Sequence, residues 1–363
     1  MTALRSKNSH FDWKRLQSAP TQVSSKPMGV TIKDVAREAQ VSVATVSRAL
    51  NGQNNVAESV RKRVRSVADR LQYTPHHAAR SLSSRRTHTI GVVLPDLYGE
   101  FFSELMYGID QVARERGLHL LVSSYHGDPV EQGAALRSMR GRVDGLLVMS
   151  PYADPGTSLE DALTASVDSV LINTRSSAVA RGTIGIDNHG GAQAMVAHLA
   201  AAGHRSIAFI SGPADNFDAS ERLRGYRDAM AQCLPGAEPM VLPGDFSEAS
   251  GRQAGLALLA APSLPQAVFA ANDMMALGCL FALVQAGRKV PAEIAVAGFD
   301  DIPLARYVHP SLTTMRVDIA RLGADAMRLL LGQPGDEPPN TGRLPQLIVR
   351  ESSGGARASP DSS

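Results

Sequence analysis

Two short segments near the start of the chain carry apolar residues at helical spacing. The apolar residues of the first segment are Ile32, Val35, Ala36 and Ala39. Intervals of three and four residues place such a set on one face, so the pattern predicts a short amphipathic helix. Thr31 stands just before it and Asp34 three residues later, which is the spacing of a capping box that starts a helix.

The second segment follows a turn at Gln40 and Val41, with Ser42 as its predicted N-cap. Its inward residues are Val46, Ala49 and Leu50, and its outward face carries Ser42, Val43, Ala44, Thr45, Ser47 and Arg48. A face of short side chains with one arginine suits a helix that lies in the major groove of DNA. The two segments therefore predict a helix-turn-helix. The alternative at this point is an ordinary helical hairpin with a solvated face.

From Thr89 onward, short apolar runs alternate with segments of helical period. The runs are residues 89–95, 118–125, 143–150, 169–174, 183–187, 206–213, 239–244, 267–272 and 294–300. Continuous apolar strands separated by helices are typical of parallel sheets covered on both faces. So many strands divide better between two sheets than within one. Two sheets whose strands' carboxyl ends face each other would enclose a ligand cleft.

Composition narrows the function classes. The chain has 363 residues, too many for one ordinary domain. Its longest apolar run, residues 274–284, is shorter than the roughly 18 residues of a membrane span, so no membrane association is expected. Cys233 and Cys279 lack metal-ligand spacing, and no secretory signal follows the N-terminal charges, which favours a cytoplasmic location. In the absence of a phosphate loop, a metal cluster or a nucleophile motif, we expect no enzyme activity and no cofactor.

The overall charge of +2 conceals a strong asymmetry. Residues 29–86 hold 11 Lys/Arg against 4 Asp/Glu, a net charge of +7, and residues 1–28 have a net charge of +4. The remainder of the chain has a net charge of −9. A basic head on an acidic body is expected when only the head meets phosphate groups.

A third amphipathic segment, residues 57–71, is rich in basic residues and precedes Tyr73-Thr74-Pro75. Residues 30–82 as a whole closely resemble the DNA-binding headpiece and hinge of the lactose/galactose repressor (LacI/GalR) family. The resemblance implies a three-helix headpiece at 29–73 and a hinge helix with linker at 74–86. The polar residues 1–28 are expected to be a disordered leader, and Met28 is a candidate for the true start.

The rest of the chain resembles the two-lobed periplasmic-binding-protein-like core of the same family. The segments that carry this resemblance are 143–147, 187–188, 203–207, 212–213, 222–226, 271–278, 298–301 and 312–314. The implied fold class is α/β, a core of two parallel sheets flanked by helices at 87–352. Its first lobe is expected at about 87–173 and 301–332, and its second at about 174–300 and 333–352. Crossings are expected near Thr174, Asp300 and Val317, with a loose tail at 353–363.

The resemblance also implies DNA contacts. Val43, Ala44 and Arg48 match the family's main specificity positions. Arg48 can form a bidentate pair with guanine, whereas Val43 and Ala44 can contact only thymine methyl groups. Thr31, Ser42, Thr45, Ser47 and Asn51 are candidates for further contacts, mainly to phosphate. In the hinge, Leu82 matches the residue that unstacks base pairs from the minor groove. Ala79 in the same segment is a further candidate for DNA contact.

Effector contacts are implied at strand ends. The candidates are Phe101, Phe102, Asn173, Asn216, Phe217, Asp218, Arg222, Asn272 and Asp300. Amides, carboxylates and an arginine beside aromatic rings suit the hydroxyl groups of a sugar. The purine-sensing branch of the family has an arginine where Asn216 stands, which argues against a purine.

Several acidic residues have structural alternatives. Asp187, beside Asn188, is expected to cap a helix, and so is Asp273, whose helix would run from Met274 to Gly287. Asp301 fits a turn and a binding site equally well.

The sequence thus predicts a cytoplasmic, homodimeric transcription regulator, most simply a repressor. It would bind double-stranded palindromic operator DNA under the control of a small sugar-like effector. The alternatives are a purine- or nucleoside-responsive regulator of the same fold, and a solute-binding protein without DNA function.

Overall fold

A computed structural model describes residues 30–50, 55–73, 86–152, 159, 163, 167–174, 181–332 and 342–354. The chain divides into two compact units, residues 1–80 and residues 81–363. The predicted leader (1–28), Asn51, the hinge residues 74–85 with Ala79 and Leu82, and residues 355–363 lie outside the described residues. No helix in the described ranges is both long enough and apolar enough to cross a bilayer.

The first unit contains three helices, α1 (Ile32–Glu38), α2 (Val43–Leu50) and α3 (Glu58–Arg70). Both predicted caps are confirmed. Thr31 and Asp34 form the capping box of α1, and the hydroxyl of Ser42 accepts a 3.1 Å hydrogen bond from Thr45 N at the start of α2. A small core joins the three helices through Val35, Ala36, Ala39, Val46, Ala49, Val64, Val67 and Ala68.

The second unit begins with a five-stranded parallel sheet, which forms the first lobe. Its strands are β1 (Thr89–Leu94), β2 (His119–Ser124), β3 (Gly145–Met149), β4 (Asp168–Ile172) and β5 (Gly182–Ile184), in the order β2-β1-β3-β4-β5. Helices α4 (Glu100–Glu115) and α5 (Pro129–Met139) follow β1 and β2. Val92 and Leu94 pack in one apolar cluster and Val93 in another. Both faces of the sheet are therefore covered, as the uninterrupted apolar runs predict.

A four-stranded parallel sheet forms the second lobe. Its strands are β6 (Ile207–Ile210), β7 (Met240–Leu242), β8 (Ala267–Ala270) and β9 (Ala295–Ala297), in the order β7-β6-β8-β9. The helices of this lobe are α6 (Asn188–Ala201), α7 (Phe217–Cys233), α8 (Glu248–Leu259) and α9 (Asp273–Gln285). The predicted division of the strands between two sheets is correct, and each sheet has helices after its strands.

The last elements are β10 (Thr314–Arg316), α10 (Ile319–Leu331) and β11 (Gln346–Ile348). β10 and β11 pair antiparallel, and a bridge joins Ala297 at the end of β9 to Thr313. Helix α10, in contrast, packs against α4 and against strands of the first sheet. The chain therefore enters the first lobe again after Val317, which is where the sequence placed one crossing.

Three expected lobe boundaries are wrong: the crossings near Thr174 and Asp300, and the return to the second lobe at about residue 333. Strand β5 pairs with β4, so the first lobe continues to Ile184 and the first crossing lies near Ile186 rather than Thr174. Residues 301–316 belong with the second lobe, because Ser311 and Thr313 hydrogen-bond to the 351–353 segment that packs on β9. The last crossing is at Arg343, which bridges to Ile186. Ser353 is also buried against Thr313, so the expected tail does not begin there.

Helices α4 and α10 approach each other at glycine. A Cβ atom on Gly108 would lie 1.7 Å from the backbone oxygen of Ala320, and one on Gly323 would lie 2.2 Å from the backbone oxygen of Leu105. Neither backbone can yield as a flexible side chain can. The two glycines therefore allow the helix contact that holds α10 in the first lobe.

Candidate functional site

The outward face of α2 is accessible. Ser42, Val43, Ala44 and Arg48 are exposed, and Thr45 and Ser47 are half-buried. Val43 retains 41% of its accessible surface although it is apolar. Together these six residues form a short-chained surface with one cation, as the sequence predicts for a helix that enters the major groove.

Basic side chains on α3 extend the positive surface of this unit. Lys62, Arg63 and Arg65 are exposed, while Arg70 forms an ion pair with Glu38. Thr31 donates its hydroxyl to Asp34, so it is engaged in the capping box. The contacts assigned to individual residues of α1 and α2 on DNA stay predictions, as do those of Asn51, Ala79 and Leu82.

A cavity of about 390 Å³ lies between the lobes of the second unit, at the carboxyl ends of the parallel strands. Seven of the nine candidate effector residues line it: Phe101, Phe102, Asn216, Asp218, Arg222, Asn272 and Asp300. Its volume is within the range of small-molecule sites. The topology explains the convergence, because loops after parallel strands meet at one edge of a sheet.

Asn173 and Phe217 do not line the cavity. Asn173 instead lies behind it, where its amide donates a 3.1 Å hydrogen bond to Asp218 Oδ2. The backbone N–H of Phe217 donates to the carbonyl of Pro151 at 2.8 Å. Neither residue lies on the cavity wall in this structure, and effector contact by Asn173 or Phe217 stays a prediction. Asn173 orients a cavity carboxylate and Phe217 joins the lobes.

Arg222 is the centre of a buried polar network. Its Nε donates to Asn188 Oδ1 at 2.8 Å, its Nη1 donates to the carbonyl of Ala271 at 2.5 Å, and its guanidinium lies 3.9 Å from the ring centroid of Phe299. Nη2 is 3.3 Å from Asp300 Oδ1 in an ion pair whose side chains are almost fully buried. Arg222 is thus fixed in position on several sides.

Two buried carboxylates of the cavity wall, those of Asp218 and Asp300, lie near this arginine. Asn188 donates to Asp218 Oδ1 at 2.8 Å, while Asp300 Oδ1 accepts no hydrogen bond from any described residue. Burial raises the pKa of Asp218 to about 6 and that of Asp300 to about 7, and the positive charge of Arg222 partly offsets this in both cases. The Asp300 carboxylate is therefore held at the cavity wall chiefly by its ion pair with Arg222.

Comparison with known proteins decides the family. Residues 31–76 match the model "Bacterial regulatory proteins, lacI family", and residues 196–353 match "Periplasmic binding protein-like domain". Catabolite control protein A of Priestia megaterium is 36% identical over 306 residues, which cover 84% of this chain and 92% of that protein. The transcriptional regulator GalR of Escherichia coli is 36% identical over 310 residues, which cover 85% and 90%. The chain belongs to the LacI family of bacterial regulatory proteins.

Solved structures agree with this assignment. The Lac repressor dimer bound to operator and the anti-inducer ONPF has a TM-score of 0.79 and 29% identity, over 90% of this chain and 99% of that one. The transcriptional regulator CelR in complex with cellobiose has a TM-score of 0.63 and 32% identity, over 89% and 99%. The relatives are regulators, which confirms the expectation of a DNA-binding regulator rather than an enzyme. In the described ranges, no group of three or more His, Cys, Asp or Glu side chains could hold a metal ion.

Two amides of this LacI-family cleft are helix caps. Asn216 Oδ1 accepts from Ala219 N at 3.0 Å, and Asn272 Oδ1 accepts from Met275 N at 2.9 Å. Asn272 also donates one N–H of its amide to the carbonyl of Phe246. The prediction that Asp187 caps a helix is confirmed, because its side chain accepts from Gly190 N.

The predicted cap at Asp273 is wrong, since Asn272 takes that position. Asp273 is buried in the first turn, where it accepts hydrogen bonds from Thr314 Oγ1 at 2.6 Å and from Ile302 N at 2.9 Å. Asp301 is structural as well. Its carboxylate lies between Arg316 Nε at 2.6 Å and Arg350 Nη2 at 2.5 Å, and it does not line the cavity.

Sequence reasoning missed a second set of lining residues. They are Asp96, Tyr98, His126, Tyr152, Asp245, Phe246 and Ser247. These residues follow β1, β2, β3 and β7 within a few positions, so the strand-end rule would have found them. They add two exposed carboxylates and three aromatic rings to the wall of the cleft.

Direct contacts join the lobes at the mouth of the cleft. The hydroxyl of Tyr98, after β1, donates to Glu248 Oε1 on α8 at 2.6 Å. A second contact between the lobes runs from the N–H of Leu304 to Glu100 Oε2 at 3.1 Å. The described arrangement is therefore one in which the two lobes touch across the cavity.

Proposed function

We propose that this protein binds a palindromic operator as a homodimer and that a sugar in the cleft between its lobes controls the binding. The observation that carries the proposal is the cleft itself. Carboxylates, amides and one fixed arginine lie beside aromatic rings within a single cavity. Donors and acceptors next to flat apolar surfaces suit a polyhydroxyl ring.

The headpiece supplies the DNA-binding part of the proposal. Arg48, exposed on α2, would pair with guanine, and Val43 and Ala44 would contact thymine methyl groups. The operator half-site would then combine a G·C pair with an A·T-rich stretch. Two headpieces related by a dimer axis would require an inverted repeat. The similar Lac repressor is described as a dimer bound to operator.

Control by the effector requires two arrangements of the lobes that differ in affinity for both ligands. An effector that prefers one arrangement shifts the population toward it. By linkage, operator binding must change effector affinity by the same factor. Relatives include a regulator solved with cellobiose, which supports a sugar as the class of effector. We place the protein in the cytoplasm, where it would meet DNA.

Selection of operator DNA from a random pool, with and without added sugars, tests the proposal. We expect a palindrome that is A·T-rich at the positions facing Val43 and Ala44, and one sugar that alters its retention. If no palindrome is enriched at moderate salt, the proposal for the headpiece is wrong. A palindrome whose binding responds to nucleosides or purines, and to none of the sugars, would refute the proposed effector class.

A further inference from the structure

The cleft also carries a charge pattern that restricts its ligand. Four carboxylates line it, those of Asp96, Asp218, Asp245 and Asp300, against the single guanidinium of Arg222. The described lining residues include no lysine and no second arginine. Even with His126 protonated, acidic groups outnumber basic groups at the wall by two to one.

Arg222 is largely engaged by the chain's own groups. Three of its donor positions face Asn188, the Ala271 carbonyl and Asp300, and its flat face lies on the ring of Phe299. Recognition of a phosphate by arginine commonly uses two parallel donors of a free guanidinium edge. Here Asp300 already takes up part of the positive charge that an anion would need.

Helix N-termini, which usually attract anions, are partly occupied by the chain's own groups. Helices α7, α8 and α9 begin at the cleft, with Asn216, Ser247 and Asn272 as their caps, so part of their first N–H groups is already bonded. Asp218 in the first turn of α7 and Glu248 in the first turn of α8 also offset the partial positive charge of those two N-termini. Burial raises the pKa of Asp273 in α9 well above its ordinary value, so the cap alone acts there.

Asp300 favours a neutral donor over an anion. Its side chain lines the cavity and is about 6% exposed, and its Oδ1 lies 3.3 Å from Arg222 Nη2 in an ion pair. A sugar hydroxyl can donate a hydrogen bond to such a carboxylate, whereas a phosphate or carboxylate oxygen brings a second negative charge.

From these observations, and resting on the proposed function, we infer that the effector is a sugar without phosphate or carboxylate groups. The acidic wall disfavours sugar phosphates and sugar acids by repulsion, and among the described lining residues Arg222 is the one guanidinium, already paired with Asp300. Repulsion between like charges at a few ångströms in a partly desolvated site reduces affinity by about tenfold or more at low ionic strength.

Matched sugar sets test the inference by calorimetry and thermal shift on the full chain. Each set contains a neutral sugar, its phosphate, its uronic acid and its amino derivative, beginning with the glucose and galactose sets, and cellobiose and ribose extend the neutral panel. We expect the neutral or amino member of one set to bind at least about tenfold more tightly than the anionic members. An anionic member that binds equally well overturns the inference and leaves the sugar proposal intact. If no sugar binds, the sugar proposal fails, and the inference fails with it.

A pair of charge variants tests the cause. Asp96 and Asp245 accept hydrogen bonds from turn N–H groups, at Leu97 and Ser247, which asparagine can also accept. In the double variant Asp96→Asn, Asp245→Asn, we expect the affinity of the phosphate derivative, relative to its neutral sugar, to rise by about fivefold at low salt and less at high salt. The control Asp110→Asn, Asp228→Asn removes the same charge away from the cleft and should leave that ratio unchanged. An equal ratio in both double variants would show that the wall carboxylates do not select the ligand.

Discussion

Tyr98 and Glu248 connect the two lobes across the mouth of the cleft. The phenol donates to Glu248 Oε1 at 2.6 Å, and the hydrogen bond to this carboxylate raises the pKa of Tyr98. Glu248 Oε2 accepts no hydrogen bond from a described residue although it is buried. Among the described residues, the Tyr98 hydroxyl is therefore the hydrogen-bond donor that the Glu248 carboxylate has. This hydrogen bond can form only while the two lobes are close.

Replacing Tyr98 by phenylalanine should weaken effector binding several-fold, because the arrangement with touching lobes loses a hydrogen bond to a charged group. Calorimetry with the responsive sugar measures the change. Tyr107→Phe is the matched control, since Tyr107 lies on α4 and its hydroxyl accepts only from Gln111 in the same helix. Equal affinities in both variants and the natural protein would show that Tyr98 does not contribute to closure.

Replacing Arg48 by alanine should reduce operator affinity by ~1–3 kcal/mol and remove the preference at one base pair of each half-site. Binding is measured on operators that carry each base at that position. Arg65→Ala on α3 is the control: it removes an exposed cation and should lower affinity uniformly, with a smaller salt dependence. An Arg48→Ala protein that still discriminates bases at that position would refute the assignment.

Replacing Arg222 by alanine should lower the free energy of unfolding of the second unit by about 3 kcal/mol, because Asn188, the Ala271 carbonyl and Asp300 lose their buried donor. Urea denaturation measures this loss. Arg224 is on the same helix but pairs with Glu221 at the surface, where its side chain is 56% exposed. Arg224→Ala should therefore change stability by less than about 1 kcal/mol. Similar losses in the two variants would mean that the buried network stabilises the second unit no more than a surface ion pair does.

The stability of the ligand-free protein should fall as the pH rises from about 4 to about 7. Burial raises the pKa of Asp218 to about 6 and that of Asp300 to about 7, above the unfolded value of about 3.9. In this window the folded protein holds protons that the unfolded chain has released, so each rise in pH favours unfolding. Urea denaturation at about pH 5 and about pH 7 should differ by on the order of 4 kcal/mol from these two groups.

Asp300→Asn tests that origin. Asparagine has nearly the same shape and tolerates the positive φ of 114° at this position better than most residues do. The variant should have a flatter dependence of stability on pH between about 5 and about 7. If the slope is unchanged, Asp300 does not titrate in this range.

Replacing Gly108 by alanine should destabilise the first lobe by about 1–3 kcal/mol, because the new methyl group would meet the backbone of α10. Gly133 on α5 is the matched control: a Cβ atom there would meet only the end of the Arg137 side chain, at 3.1 Å. Gly133→Ala should be neutral or stabilising, since alanine favours helix. Thermal unfolding distinguishes the two, and a neutral Gly108→Ala would contradict the close helix contact.

The elements of this fold could be predicted from the apolar pattern, but their membership of a lobe could not. Residues 182–184 show why. Their short apolar run predicts a strand, whereas its partner, β4, is fixed by pairing across the intervening residues. Residues 301–316 present the same difficulty, since hydrogen bonds to residues beyond α10 determine where they lie.

Within the site, the resemblance identified Arg222, Asp218 and Asp300 correctly as cleft residues. It did not distinguish contact from support. Asn173 directly follows β4 but does not line the cavity. Its hydrogen bond to Asp218 gives it a supporting role, which the sequence does not reveal. In the pair Asn272-Asp273, either side chain can cap a helix, so the sequence alone defines the N-cap only to within one residue. The backbone decides, because Asn272 is extended while Asp273 is already helical.

Because the lobes are joined near Ile186, Val317 and Arg343, their relative motion has few degrees of freedom. Two of these spans are hydrogen-bonded to each other, from Arg343 N to the Gly185 carbonyl and from Asp187 N to the Arg343 carbonyl. A lobe on a single tether could twist, tilt and slide. On three spans, it bends mainly about the line that they share. Ligand binding then changes mainly one rotation angle between the lobes. The three spans fix the axis of that rotation in the ligand-free protein.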